Sequence, residues 1–362
     1  MNTVGTSKHV NKTGKTILVT GGSGYIGSHT VVNLLEKGFR VISLDNYDNS
    51  HKWINNRILE IAGNEAKVHF HDVDICEKQK LRKIFEKYPE ISGIIHFAAH
   101  KAVGESVENP LKYYDNNLNG LISILQMAAK FQVPNFIFSS SCTVYGNVDK
   151  LPVTESTPLQ TAESPYGATK VMGERIVTDF VHATPIAKAV LLRYFNPAGA
   201  HSSALIGELP QNKPANLVPV ITAVASGKMD CLTVFGTDYD TRDGSCVRDY
   251  IHVSDLAEAH TLAMQALLNG KLNRVEVFNL GIGQGATVLE AIKAFEKVSG
   301  KKLNYALGQR RKGDVVAIYA DYQKAQKVLG WSPIFNMEDI MRTAWEWEKQ
   351  LDNDNYFTSG RQ

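Results

Sequence analysis

Tyr166 and Lys170 stand four residues apart in SPYGATKVMGE (164–174), so a helix puts both on one face. A phenol titrates at about 10 and is a poor base at neutral pH. A nearby ammonium, or a cationic ring held against it, stabilises the phenolate and lowers that value. A tyrosine so tuned takes a proton from a hydroxyl while hydride leaves the same carbon. Ser164 and Pro165 supply a helix start, with serine at the cap and proline at the first helical position. Tyr166 then sits in the first turn, where the helix dipole favours negative charge. YxxxK alone is common on solvated helices, so the pair gains meaning only from its surroundings. One such surrounding is SSSCTVYG (139–146), which follows an apolar run. Ser139, Ser140 and Ser141 therefore end a strand, at the edge that faces the ligand crevice in an open α/β sheet. A serine there can hydrogen-bond the same hydroxyl, although serines after strands also simply form turns.

The second constellation is VTGGSGYIGSHT (19–30), which fits GxxGxxG through Gly21, Gly24 and Gly27, and GxGxxG through Gly22, Gly24 and Gly27. Glycines here allow a tight turn and let backbone N–H groups approach a pyrophosphate at a helix N-terminus. An apolar strand precedes the turn and an amphipathic helix follows it. Asp45 ends the next strand, eighteen residues beyond Gly27. A carboxylate there accepts from an adenosine ribose 2′-hydroxyl and repels a 2′-phosphate. No Arg or Lys follows it directly, only Asn46 and Tyr47, so the implied cofactor is NAD rather than NADP. TGKT (13–16) is not a phosphate loop, because His9 stands where glycine is required and no strand precedes it.

The elements that must position these residues follow from the hydrophobic pattern. TILVT (16–20), RVISLD (40–45), KVHFHDVDI (67–75), GIIHFAA (93–99) and NFIFSSS (135–141) are short apolar runs separated by helix-length amphipathic segments. That pattern belongs to a parallel sheet covered on both faces, so the fold class is α/β, a doubly wound Rossmann-type domain over 16–195. After residue 196 Pro and Gly become frequent and the strands shorten, which suggests a smaller α/β substrate domain over 196–350, parts of which return to the first. AGAHSSALIGELPQNKPANLVP reads as a long functional loop. RDYIHVSDLAEAHTLAMQALL reads as a strand leading into a helix capped by Ser254. Residues 286–300 and 321–330 read as further helices, and the polar ends 1–15 and 353–362 as loose termini.

Composition narrows the partners. The 362 residues carry a formal charge of +2, 43% hydrophobic and 21% charged residues, an ordinary soluble balance that gives no reason to expect nucleic acid or a membrane as a partner. No apolar run has the length of a membrane span, and the N-terminal residues lack the apolar core of a signal peptide. Cys76, Cys142, Cys231 and Cys246 are widely spaced, which argues against a zinc site or disulfide scaffold and fits a reducing, cytoplasmic setting. His69 with His71 and His96 with His100 supply no complete ligand set, so no metal is expected.

Together these residues resemble the extended short-chain dehydrogenase/reductase family, and within it the UDP-glucose 4-epimerases. The resemblance runs from 16 to 350 through TGGSGYIGSH, LDN, HFAAHKAVGES, YYDNN, SSSCTVYG, SPYGATK, RYFNPAGAH, NLVP, VRDYIHV and RRKGD. It implies interconversion of UDP-galactose and UDP-glucose, by oxidation at C4 with tightly held NAD, rotation of the 4-ketosugar and hydride return to the other face. Tyr166 is the implied base, Ser141 its assistant, and Lys170 the holder of the nicotinamide ribose. For NAD the resemblance implies Gly21, Gly24, Tyr25, Ile26, Gly27, Asp45, Asn46, Asn49, Ser50, Asp74, Ile75, Phe97, Lys101 and Asn116, with Tyr194 beside the nicotinamide. For the UDP-sugar it implies Asn196, Asn216, Leu217, Phe235, Arg248, Tyr250, Arg311 and Asp314. Charge-assisted bonds from Arg248 and Arg311 to a diphosphate fit this chemistry, whereas an ordinary arginine is a surface ion-pair partner. The family is commonly homodimeric.

The chain departs from the family pattern twice: Val220 replaces a tyrosine after NLxP, and Ile318 stands where a small residue admits an N-acetyl group and a tyrosine excludes it. Substrates with N-acetyl groups, UDP-GlcNAc and UDP-GalNAc, therefore stay open. A nucleotide-sugar 4,6-dehydratase is the nearest rival. Elimination needs a further acid and base, and Cys142 and Thr143 stand where those enzymes carry Asp-Glu. A plain dehydrogenase would exchange its cofactor. A non-catalytic NAD-binding scaffold keeps the glycine turn but loses Tyr or Lys, both present here.

Overall fold

The computed structural model describes residues 14–211, 213–311 and 314–353. Its frame is a sheet of seven parallel strands. Six come from residues 16–194: β1 (Thr16–Thr20), β2 (Arg40–Asp45), β3 (Val68–Asp72), β4 (Ile91–His96), β5 (Asn135–Ser139) and β6 (Lys188–Tyr194). Helices α1 (Tyr25–Glu36), α2 (Ile54–Ala62), α3 (Lys78–Lys87), α4 (Val103–Glu108), α5 (Pro110–Lys130) and α6 (Pro165–Ala183) fill the crossovers. Alternation along β1 shows why both faces must be covered. Ile17 and Val19 pack with Val31 and Val32 of α1, whereas Leu18 packs with Leu81 of α3, Ile124 of α5 and Val177 of α6. Each such fully buried aliphatic side chain contributes about 1.5–3 kcal/mol.

Beyond β6 the chain builds small sheets from short pieces. β7 (Asn196–Ala198) leads through a loop to α7 (Leu217–Ala225), then to β8 (Leu232–Phe235), β9 (Val247–Arg248) and β10 (Tyr250–His252). α8 (Val253–Leu268) and β11 (Val275–Leu280) turn back to the large sheet: Met264 and Leu256 join the β1–α1 core, and β11 pairs parallel with β6. β12 (Ala286–Thr287), α9 (Val288–Ser299), β13 (Tyr305–Gly308), β14 (Ala317–Ile318), α10 (Gln323–Leu329) and α11 (Met337–Asn353) follow. β9 lies between β12 and β14, β10 pairs with β7, and β13 with β8. The large sheet runs β11-β6-β5-β4-β1-β2-β3. Its order reverses beside β1, and the crevice at the strand C-termini there is where such sheets take ligands.

The cap of α8 differs from the sequence expectation. His252, still extended at the end of β10, accepts from the Ser254 N–H through Nδ1 at 3.1 Å, so Ser254 lies inside the first turn. An imidazole acceptor so placed does the work that a serine hydroxyl would do. The expected loose ends fall outside the described residues, apart from Gly14, Lys15 and Asn353.

Candidate active site

The glycine turn joins β1 to α1 at the reversal point. Gly21 has a left-handed φ of +70°, and a Cβ there would lie 2.9 Å from the Ala98 nitrogen. Gly21 and Gly22 both donate to the Leu44 carbonyl, and Gly24 donates to Gly21 O at 3.1 Å. Gly24 is the N-cap of α1 and offers no capping side chain, so the N–H groups of Tyr25 and Ile26 open the helix without one. This uncapped end, reached only past glycine, fits a pyrophosphate. Asp45, buried at the end of β2, accepts from Ser23 N (2.9 Å), Tyr47 N (2.9 Å) and Ser50 Oγ (2.8 Å). Three donors orient the carboxylate beside the turn.

Most of the remaining residues expected around NAD follow the same strand ends, and Asn116 lies on α5. Asn46 Nδ2 donates to Asp74 at 3.3 Å, and Asp74 also accepts from Cys76 N. Ile75 is buried under Gly120 of α5, and Asn49 is exposed between Asp45 and Ser50. Phe97 follows β4 and sets its ring 4.7 Å from that of His260. Asn116 donates to Asn117, which in turn binds His100 and Thr169. Lys101 pairs with Glu208 at 2.9 Å.

Tyr166 and Lys170 lie in the first turns of α6, which Ser164 caps by accepting from Gly167 N at 3.1 Å. Both are buried, at 8% and 5% exposure, so the solvated-pair reading fails. Lys170 Nζ donates to Ser139 O at 2.7 Å and lies 5.8 Å from the Tyr166 ring centroid. Burial pushes the phenol well above its usual range, nearby Tyr194 adds to this, and hydrogen bonding with Ser141 works against it. Burial likewise brings Lys170 down to about 8, with Glu174 opposing. The sequence led us to expect the lysine to lower the phenol. Instead desolvation outweighs it and keeps Tyr166 protonated, while one of the three ammonium N–H donors is taken by the Ser139 carbonyl. Tyr194 closes this corner, with its hydroxyl 2.7 Å from Ser139 Oγ.

The residues expected to hold the UDP-sugar converge from the short sheets. Arg248 on β9 donates to Val247 O and Val315 O, and lies 3.7 Å from Asp314. Arg311 grips Asp314 with two bonds of 3.0 and 3.1 Å and stands 4.9 Å over the Phe235 ring. Both guanidinium groups act on buried Tyr250, whose phenol burial pushes up to about 12. The Arg248 charge also acts on the thiol of Cys142, next to Ser141. Asn196 Oδ1 is buried without a partner among the described residues. Asn216, just before Leu217 begins α7, donates to Glu208 at 2.7 Å. Ile318 is in register with Arg248 and packs with Val144, Tyr145, Val153 and Phe195.

Comparison with known proteins is decisive. A family model described as GDP-mannose 4,6 dehydratase matches residues 18–344. UDP-glucose 4-epimerase 2 of Arabidopsis thaliana is 48% identical over 334 residues, covering 92% of this chain and 95% of its own. The chain belongs to the UDP-glucose 4-epimerase family. Solved members superpose closely. The epimerase of Stenotrophomonas maltophila, with bound NAD and formylated UDP-arabinopyranose, has a TM-score of 0.90 at 42% identity, covering 94% of this chain and 99% of its own. That of Bifidobacterium longum, in complex with NAD+ and UDP, has 0.88 at 45%, with the same coverage.

Three features of this family member escaped the sequence reading. Glu208 receives both Lys101 and Asn216, one expected on the cofactor side and one on the substrate side. Its signal was the long loop it occupies. Asp249, fully buried between Arg248 and Tyr250, accepts from Ile282, Gly283 and Ala320 N–H groups. Glu174, one turn beyond Lys170, pairs with Arg193 in the core. The histidine pairs serve packing: His96 binds Thr20, while His69 and His71 lie against Tyr88 on the edge strand. Among the described residues no three His, Cys, Asp or Glu side chains gather in a way that could hold a metal.

Proposed function

We propose that this chain interconverts UDP-galactose and UDP-glucose with NAD as its resident cofactor. The observation that carries the reading is the buried Tyr166–Lys170 pair at the start of α6, its lysine held by the Ser139 carbonyl at the end of β5, in a sheet whose glycine turn opens α1 without a capping side chain. Bound NAD supplies a reversible hydride acceptor for the sugar C4. Tyr166 carries the proton. Burial keeps its phenol protonated, and a cationic ring against it lowers that affinity so that the oxygen takes the 4-hydroxyl proton and returns it. Ser141 orients the hydroxyl. Lys170, near 8, is largely an ammonium at neutral pH and donates to a ribose hydroxyl. Arg248 and Arg311 hold the diphosphate, and the sugar turns over beneath them to present its other face.

Asp45 selects NAD over NADP through its held carboxylate. Exposed Val103 and Val107 of α4, Leu111 of α5 and Met172 of α6 form apolar surface on adjacent helices, which supports a homodimer. Four free cysteines, and no described helix long and apolar enough to cross a membrane, support a cytoplasmic setting. Purified protein is incubated with UDP-galactose or UDP-GalNAc without added nucleotide, and the products are separated by chromatography. Formation of UDP-glucose is expected. Its absence refutes the reading, and the second substrate decides what Ile318 admits.

A further inference from the structure

Beneath the catalytic residues lies a buried polar network that touches every element carrying them. Glu174 Oε1 accepts from Ser140 Oγ at 2.6 Å and from Arg193 Nε at 2.8 Å, and its Oε2 accepts from Arg193 Nη2 at 2.6 Å. Arg193 Nη1 donates to Tyr145 OH at 3.1 Å, and that hydroxyl donates to Asn279 Oδ1 at 2.6 Å. Ser140 and Tyr145 are fully buried, Glu174 is 4% exposed and Arg193 5%. The network thus joins α6, the end of β5, the turn Cys142–Tyr145, β6 and β11.

Two adjacencies give the network a catalytic consequence. Ser140 lies between Ser139, whose carbonyl holds Lys170, and Ser141, whose hydroxyl acts on the Tyr166 phenol. Glu174 is one helical turn beyond Lys170, on the same face of α6. We infer that Glu174 is a positioning residue for the reaction, fixing the Ser139–Ser141 strand end against α6 by taking the Ser140 hydroxyl and the Arg193 guanidinium on one carboxylate. This rests on the reading of Tyr166, Ser141 and Lys170 as the reacting groups. A buried ion pair of this kind is weak evidence for stability, since well-packed apolar residues would serve as well. Its use is to define one geometry, and here the geometry defined is that of the proton-transfer groups.

Removing the charge also acts on Lys170. The groups around that ammonium are Tyr166 and Glu174 from α6, His96 from β4, and the Ser139 carbonyl and the Phe138 ring from β5; from β6, Arg193 binds Glu174 and Tyr194 binds Ser139. Glu174 is the only carboxylate among these named groups. His96 is held neutral, at about 3, by burial and by Lys170. Without the carboxylate, Lys170 gives up its proton at lower pH.

The test compares Ser140→Ala and Glu174→Gln with wild type in the UDP-galactose conversion. Ser140→Ala keeps the ion pair and loses only the link. Its turnover is expected to fall about tenfold, with KM for UDP-galactose within about twofold, as for loss of a positioning interaction. Glu174→Gln is expected to lose turnover as well, and to move the alkaline limb of the kcat–pH profile down by about half a unit to one unit. A merely structural role would leave that limb in place. Turnover within about twofold of wild type for both variants overturns the inference. If wild type itself proves inactive, only the functional reading falls, and crystal structures of wild type and Ser140→Ala decide this one. A shift of Ser141 Oγ relative to Tyr166 by more than about 0.5 Å supports it, and an unmoved Ser141 refutes it.

Discussion

Gly27→Ala probes the cofactor turn most sharply. A Cβ on Gly27 would lie 2.0 Å from Gly21 O, 2.9 Å from Gly21 C and 3.0 Å from Gly22 Cα, all of them backbone atoms. The Gly21 carbonyl must retreat by about 1 Å to restore contact distance, and it is the acceptor for Gly24 N. Overpacking of this kind costs about 1–3 kcal/mol, and the strained turn bond adds at most about 1 kcal/mol. A loss of about 2–3 kcal/mol lowers Tm by roughly 3–4 °C in a chain of 362 residues. The same displacement moves the Tyr25 and Ile26 N–H groups off a bound pyrophosphate. Each charge-assisted bond so lost is worth about 1.5–3 kcal/mol, or roughly 10–100-fold in Kd for NAD. Gly22→Ala is the graded control. Its Cβ would lie 2.2 Å from Ser43 Oγ, a hydroxyl without a partner among the described residues that can rotate away, so the loss should be below about 1 kcal/mol. Thermal unfolding, NAD content after purification and NAD titration read the series. Gly27→Ala binding NAD within about threefold of wild type, at unchanged Tm, would refute the turn geometry.

Further outcomes follow from single groups. Tyr166→Phe keeps the buried ring and removes the proton carrier, so turnover should fall by at least about a hundredfold with NAD content unchanged; near-normal turnover in product analysis would remove Tyr166 from its role. Asp45→Ala strips the acceptor from Ser23, Tyr47 and Ser50, and should bring the Kd values for NAD and NADP together, with a stability loss of about 1–3 kcal/mol; unchanged selectivity in paired titrations counts against the ribose contact. Acid should destabilise the fold. Burial holds His29 and His96 at about 3, and His252 and His260 at about 4, below the ordinary 6.5. The unfolded chain therefore binds more protons at these sites, and the stability they contribute is complete above pH 6.5 and lost as pH falls toward 4. Asp249 and Asp255, raised to about 6 by burial, work oppositely between pH 6 and 3.8, but they are two against four. The urea midpoint should fall across that window, and a midpoint that holds or rises contradicts the account.

The large sheet was legible because its strands are apolar on both faces, as Ile17, Leu18 and Val19 illustrate by packing into opposite cores. The glycine turn, Asp45 and the Tyr166–Lys170 spacing were legible because each is local in sequence. What stayed hidden is long-range. The return of β11 to the sheet is set by pairing with β6, some eighty residues earlier in the chain. Glu208 links Lys101 to Asn216 across a hundred residues, and beyond the long loop it occupies no local pattern marks it. Sequence spacing also left one partner of Lys170 unseen: a shared helix face brings it near Tyr166, and the strand end beside α6 adds a carbonyl at 2.7 Å. The cap of α8 failed similarly, because the geometry of β10 delivers an imidazole before the serine is reached.

The central claim is that one carbon is oxidised and re-reduced in a closed site, with Tyr166 moving the proton. UDP-galactose carrying deuterium at C4 tests it directly, with the product analysed by proton NMR and mass spectrometry. The account predicts UDP-glucose that retains deuterium at C4, even in ordinary water and with unlabelled NADH added. Loss of the label to solvent or to the added nucleotide would contradict it.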